Sequence, residues 1–392
     1  MNVEILGVDP RNKGAALMLE AIRQEMVAKY DSANLCVSLS FPVTDRVDMR
    51  LWALLPRDRL HKKVISSVIE KLIPSKYLRK VGIIKSRDID VVLDSSGFAY
   101  GDFWGVEKLR KRLYNNLSRW KRTGKKVILL PQAWGPFQEP GFKRVLKEVI
   151  SSSDLAFYRD STSKEHISSC VGLAYSNLRY SPDFTCSLTT VERSDYVLEG
   201  ASYIIPNEKV VASSEAQDKF AYTEFLVSVA IELRSAGHNV FILNHEGVKD
   251  ENLAKDIQDS LNKKGVEIEI VTPRSALETK KYLASARAVV SSRFHGLVSA
   301  LSSGVPVLAC GWSHKYYELL KDYNCERFVV DFKQLSKASE QLRDFVDVCD
   351  RSDFKESIEA HADRQRELTV EMWAQVHACI SGPDSDFIKG SK

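Results

Sequence analysis

The chain has 392 residues, enough for two domains with their own cores at roughly 100–200 residues each. Hydrophobic residues make up 44% and charged residues 28%, which excludes wholesale disorder, and a net charge of +4 is too mild to mark a nucleic-acid binder. No apolar run approaches the roughly 18 residues of a membrane span.

Seven scattered cysteines without a CxxC pair exclude a disulfide framework and a cysteine zinc site, and eight histidines lack metal spacings such as HExxH. No metal site is expected. The start, Met1 to Gly7, has neither a basic region nor a long apolar core, so the sequence shows no secretory signal. Together with the cysteine usage this points to a reducing cytoplasm.

In chain order, residues 3–8 read as a strand. A helix follows over 15–29, with Leu17, Ala21, Ile22 and Met26 on one stripe. Further strands are expected at 35–39, 91–93, 127–130, 155–158, 202–205, 240–243, 268–271, 288–291, 305–309 and 328–330, with helical patterns between them. Such alternation is the pattern of parallel sheets covered by helices. The rhythm lapses over 187–200, so two α/β domains are expected at 1–190 and 200–350. A helix and tail over 351–392 follow, able to pack on either domain.

One segment breaks the rhythm. Between Arg50 and Arg87 lie eleven Lys/Arg and two acids, a net +9 in a chain of +4 overall. Val64, Ile65, Val68, Ile69, Leu72 and Ile73 recur there at helical spacing. This is either a domain helix with a solvated basic face or a peripheral contact with an anionic membrane.

The most informative stretch is Ser291-Ser292-Arg293-Phe294-His295-Gly296, then Gly304-Val305-Pro306, then Trp312-Ser313-His314-Lys315. A buried strand ends in small residues and turns into a helix. Ligands of open α/β sheets bind at that carboxyl edge, and a helix N-terminus offers N–H groups to an anion. Arg, His and Lys gathered there suit a phosphate or carboxylate. No GxGxxG and no Walker lysine pattern occurs, so dinucleotide and NTP chemistry lack support.

This stretch resembles the polysaccharide pyruvyl transferase family, in which a strand leads into an Arg-Leu-His turn, a helix, Gly-Val-Pro and a Lys. Asn12-Lys13-Gly14-Ala15 resembles the family's N-terminal Asn-x-Gly loop, with Ala15 where Asp often follows. Asp90 to Gly97 is similar to its Asp…Gly-Gly-Gly strand end, with Ser95 and Ser96 replacing two glycines. Leu130-Pro131-Gln132-Ala133-Trp134-Gly135-Pro136 is similar to its Gln-x-x-Gly-Pro loop. Tyr158-Arg159-Asp160-Ser161-Thr162-Ser163 matches its Arg-Asp-x-x-Ser segment, and Ser181-Pro182-Asp183-Phe184 its Pro-Asp element. The resemblance spans about residues 3–320.

The resemblance implies two Rossmann-like α/β domains facing a cleft, as in GT-B glycosyltransferases, with the acceptor on the N-terminal side and the donor on the C-terminal side. It implies transfer of the enolpyruvyl group of phosphoenolpyruvate onto two hydroxyls of a sugar, giving a cyclic ketal and phosphate. Phosphoenolpyruvate is then a substrate, and no cofactor is implied. By matching positions, Arg159, Arg293, His295 and Lys315 would form the phosphoenolpyruvate site, with His295 the proton donor. Asn12, Gly14, Gly97, Gln132 and Asp183 are further binding candidates, and Trp134 is a candidate either for sugar stacking or for packing. The resemblance further implies an acceptor that belongs to a bacterial surface glycan and can be carried on a polyprenyl diphosphate at the cytoplasmic face of the membrane.

Two alternatives stay open. One is a nucleotide-sugar glycosyltransferase on the same architecture, although no acidic residue stands out at the end of a second-domain strand to hold a ribose. The other is a non-catalytic glycan- or membrane-binding scaffold, to which the departures at Ala15, Ser95 and Ser96 lend weight.

Overall fold

The computed structural model describes residues 1–55, 72–188, 198, 200–212, 216–311 and 314–382. These residues fall into two compact units. The first comprises residues 1–10, 18–184 and 368–392, and the second 11–17 and 185–367.

Among the described residues the first unit holds one parallel sheet of eight strands. They are β1 (Asn2–Leu6), β2 (Asn34–Ser38), β3 (Trp52–Leu54), β4 (Ile83–Ile84), β5 (Val91–Asp94), β6 (Lys126–Gln132), β7 (Leu155–Tyr158) and β8 (Leu178–Tyr180). The spatial order is β4-β3-β2-β1-β5-β6-β7-β8, with Val3 opposite Val91 and Val92 opposite Val127. Every residue of β5 is buried, as a central parallel strand covered on both faces requires.

The second unit holds a parallel sheet of six described strands: β9 (Ala201–Ile205), β10 (Asn239–Leu243), β11 (Ile270–Val271), β12 (Ala288–Ser291), β13 (Val307–Cys310) and β14 (Val329–Val330). Their order is β11-β10-β9-β12-β13-β14. Its core is built around Tyr203, Ile204, Leu226, Leu243, Val290, Leu297 and Leu308, all fully buried. In each sheet the winding direction reverses once, between β1 and β5 and between β9 and β12. Those reversals open a crevice at the carboxyl ends of the strands.

The strand rhythm read from the sequence is present, and the helix Lys13–Lys29 buries Leu17, Ala21, Ile22 and Met26 as expected. The pattern did not reveal β3, β4 and β8. Each has only two or three residues.

The division of the chain differs from the expected one. The boundary falls between Phe184 and Thr185, ahead of the expected gap, whose residues 189–197 and 199 lie outside the described ones. The polar contacts on either side are in keeping with it: Asp183 pairs with Arg159 of the first unit, whereas Lys280 of the second unit donates to the Thr185 carbonyl at 3.4 Å. The long helix expected from residue 351 onward is present. Helix Ser352–Ser381 packs Ile358 and Ala362 into the second core, while from Leu368 onward it belongs to the first, where Trp373 meets Phe184 edge-on.

The basic segment is only partly described. Val64, Ile65, Val68 and Ile69 of its stripe, and Lys62, Lys63 and Lys71, lie outside the described residues. Leu72 is exposed, and Lys76 lies over the Tyr77 ring at 5.0 Å. Lys85 is not part of a solvated face: it is buried and donates to the Ile73 carbonyl. Among the described residues no helix is long and apolar enough to cross a membrane.

Candidate functional site

The segments singled out in the sequence occupy the same kind of place, each within its own unit. Residues 95–97 follow β5, 132–136 close β6, 159–163 follow β7, 181–184 follow β8 and 292–296 follow β12. All sit at carboxyl ends of parallel strands, where the chain leaves the sheet with its polar groups unspent.

In the second unit β12 ends at Ser291, and Arg293 stands as the residue before helix Phe294–Leu301. The Arg293 guanidinium is buried and clamped. Nε and Nη2 donate to the two oxygens of Asp250 at 2.9 and 2.5 Å, and Nη1 donates to Glu246. Glu246 also accepts from the Asn12 side chain at 3.0 Å. Asn12 in turn caps the helix Lys13–Lys29, its Oδ1 accepting from the Ala15 N–H at 2.9 Å. Two carboxylates thus hold Arg293 through three of its five N–H donors, so a ligand anion competes with them for the guanidinium. Glu246, partly exposed, is the freer of the two.

His295 opens the helix beyond Arg293, and its ring lies against Gly14. A Cβ on Gly14 would fall 2.2 Å from His295 Nδ1, so only glycine lets the imidazole take this position. Gly296 is less tightly constrained, since a Cβ there would meet Ser291 Oγ at 3.0 Å and Ile205 at 3.1 Å. Lys315 enters on helix His314–Lys321, its Nζ 5.3 Å from the Phe294 ring. The β9/β12 crevice beside it is bridged by hydrogen bonds. Asn207 Nδ2 and Tyr316 Oη both donate to the Ser292 carbonyl, at 2.8 and 2.9 Å, and Tyr222 Oη donates to Ser292 Oγ at 2.7 Å.

Several groups here were not singled out in the sequence. Lys13 donates to the carbonyls of Pro273 at 3.0 Å and Asn244 at 3.4 Å, and desolvation lowers its pKa to about 8 despite the attraction of Glu278, Asp250 and Glu246. His245 is buried, and neither ring nitrogen meets a partner among the described residues. Burial, then Arg293, Lys13 and His295, hold its pKa well below the usual histidine value, so it is neutral at neutral pH. Glu246 and Asp250 correct the expectation that no acid stands at a second-domain strand end: they follow β10, engaged with Arg293. The readable signal was the polar run Asn244-His245-Glu246 directly after an expected strand.

The first unit has its own cluster. Buried Asp94 accepts from Ser96 Oγ at 2.5 Å, Tyr100 Oη at 2.8 Å and Gln132 Nε2 at 3.0 Å, and Arg112 donates to Ser96 Oγ at 2.6 Å. Gly97 takes φ +66 at the turn after β5, a left-handed conformation glycine adopts freely. Arg159 pairs with Asp183 at 2.9 Å, so the Arg-Asp and Pro-Asp elements meet in one buried ion pair. Asp160 caps helix Ser161–Val171 through the Ser163 N–H. Trp134 packs: it is fully buried with Nε1 donating to the Phe157 carbonyl at 2.9 Å, which leaves no ring face for a sugar.

Elsewhere, His238, Cys349 and Asp350 lie close together. Arg287 holds the Asp350 carboxylate, with its pKa near 2, while burial pushes the Cys349 thiol up to about 12. These groups are committed to neighbours.

The clamp and the glycine each make a prediction. Arg293→Ala leaves buried Asp250 uncompensated and should cost about 3–5 kcal/mol in urea unfolding, with part recovered in Arg293→Ala/Asp250→Asn. Equal stability of wild type and Arg293→Ala would refute the clamp. Gly14→Ala should shift the His295 ring resonances in NMR spectra. Alanine would ordinarily favour a helix over glycine by up to about 1 kcal/mol, so unchanged resonances with raised stability would show that the ring does not lie there.

The comparisons agree with this anatomy. Among curated proteins, none matches the sequence. Solved structures similar in fold include a glycosyltransferase from Rickettsia africae, at 10% identity and TM-score 0.58, over 98% of this chain and 99% of that one. A UDP-GlcNAc 2-epimerase from Methanocaldococcus jannaschii, in complex with UDP-GlcNAc and UDP, matches at 13% identity and TM-score 0.52, over 94% and 100%. At such identities they show the fold alone: two Rossmann-like units of the GT-B type. The family model for polysaccharide pyruvyl transferase matches residues 12–314, a stretch that runs from Asn12 through the Arg293–His295 turn, and the chain belongs to that family.

Proposed function

We propose that this transferase moves the enolpyruvyl group of phosphoenolpyruvate onto two hydroxyls of a sugar in a bacterial surface-polysaccharide intermediate, closing a pyruvate ketal and releasing phosphate. The observation that carries this reading is the fit of His295 against Gly14, with Lys13, Arg293 and Lys315 at the same sheet edge. The donor bears a phosphate and a carboxylate, and cations beside a helix N-terminus suit both.

The chemistry needs one proton at carbon. His295 as imidazolium gives it to the methylene carbon, turning CH2 into CH3 and leaving C2 open to attack. A sugar hydroxyl adds at C2, and the C–O bond to phosphate breaks with its electrons leaving on phosphate. The second hydroxyl then closes the ketal. Of the two hydroxyl protons released, one restores the imidazolium and the other leaves on phosphate. In this reading Arg159, paired with Asp183, serves the donor together with Arg293, as the motif resemblance implies.

His295→Gln should lower phosphoenolpyruvate-dependent phosphate release by about 100-fold or more while leaving most donor affinity intact. Lys13 carries the pH dependence. Its charge is present below about pH 8 and lost above it, so donor affinity should fall as pH rises through about 8, and Lys13→Ala should flatten that limb. A normal rate in His295→Gln, or turnover of nucleotide sugars in place of phosphoenolpyruvate, would overturn the reading.

The net +9 over residues 50–87 supports a lipid-linked acceptor met at the inner face of an anionic membrane. Vesicles containing phosphatidylglycerol should sediment the protein at low salt and release it as ionic strength shortens the reach of charge to about 8 Å. Wild-type protein that stays in solution with such vesicles would remove membrane contact from the proposal.

A further inference from the structure

The loop after β5 carries exposed aromatic rings that nothing so far accounts for. Phe103 is 65% exposed and Trp104 40%, large values for rings in a well-packed α/β unit. They meet edge-on with centroids 4.8 Å apart, and Phe98 lies beneath both at 6.5 and 6.3 Å.

The loop is built to hold them. The Asp102 carboxylate accepts the N–H groups of Gln138 and Glu139, and its own N–H donates to the Pro136 carbonyl at 2.8 Å. Glu139 in turn accepts from the Val106 N–H at 2.9 Å. Rings fixed this way lose little further freedom when a ligand binds.

The rim is polar. Lys108 lies over the Trp104 ring with its ammonium 3.5 Å from the centroid, covering one face of the indole so that a sugar would stack on the other, and burial, then Arg112, lower its pKa. Arg112 donates to Ser96, which donates to Asp94. The rings therefore continue directly into the polar cluster at the β5 edge.

A pyranose needs what is present. Its flat C–H face packs on the electron-rich face of an aromatic ring while its hydroxyls reach sideways to charged and polar groups.

We propose that Phe103 and Trp104, rimmed by Lys108 and Arg112, form the subsite that binds a sugar ring of the acceptor. This rests on the pyruvyl transfer reading, and it moves sugar stacking from buried Trp134 to the exposed loop.

The probes are methyl β-D-glucopyranoside and methyl β-D-galactopyranoside, followed by saturation-transfer NMR on the full chain. At least one should bind wild type through its ring C–H protons. Phe103→Ala or Trp104→Ala should weaken that binding by about tenfold, the scale of one lost ring contact. Phe103→Tyr and Trp104→Phe should restore it, and calorimetric binding of phosphoenolpyruvate should be the same in all five proteins.

Binding of neither glycoside, equal binding by the alanine variants, or Trp104-dependent binding to phosphatidylglycerol vesicles without sugar binding would each overturn the subsite. Should wild type fail to bind phosphoenolpyruvate while sugar binding still requires Trp104, the donor reading falls and the subsite stands.

Discussion

A parallel sheet releases every strand at the same edge, and the organisation of this protein follows from that constraint. Backbone groups at the strand ends no longer pair within the sheet, and the next helix begins with N–H groups that lack intrahelical acceptors. Polar side chains at the last residue of a strand or within five residues beyond it therefore collect in a band. Here that band holds Asp94, Gln132, Arg159 and Asp183 in one unit, and Asn207, His245, Glu246, Arg293 and His295 in the other.

Collecting charge at a buried edge has a cost, and the structure meets it by pairing. Arg293 carries three donor contacts to Asp250 and Glu246, and Arg159 is matched by Asp183. His245 takes the other route and gives up its charge. Lys13 lies between these extremes, its desolvation only partly offset by neighbouring acids, so its charge is conditional near pH 8. A site of this kind holds positive charge in tension with carboxylates, and a ligand anion competes with those carboxylates rather than with water alone.

The glycines divide into two physical roles. Gly97 is needed for its backbone, with φ at +66 where the chain turns off β5. Gly14 lies in ordinary helical backbone and is needed for the side chain it lacks, because His295 occupies the space. The same letter in two short segments thus serves a turn in one case and a side-chain contact across 281 positions of sequence in the other.

The sequence by itself determined the α/β class, the parallel character of the sheets, most strands and the helix stripe of Leu17, Ala21, Ile22 and Met26. These depend on local periodicity and burial, which are written residue by residue. It also placed Arg293 and His295 at a strand-to-helix turn, because that turn is a contiguous segment. Only the tertiary structure decided who meets whom. That Arg159 answers Asp183, that Asn12 reaches Glu246, that Trp134 is core while Trp104 is exposed, and that the chain returns to the first unit from Leu368 onward all depend on contacts between segments far apart in the chain. Local pattern carries no information about such partners, since a charged residue after a strand looks the same whether its counter-ion lies four or two hundred residues away.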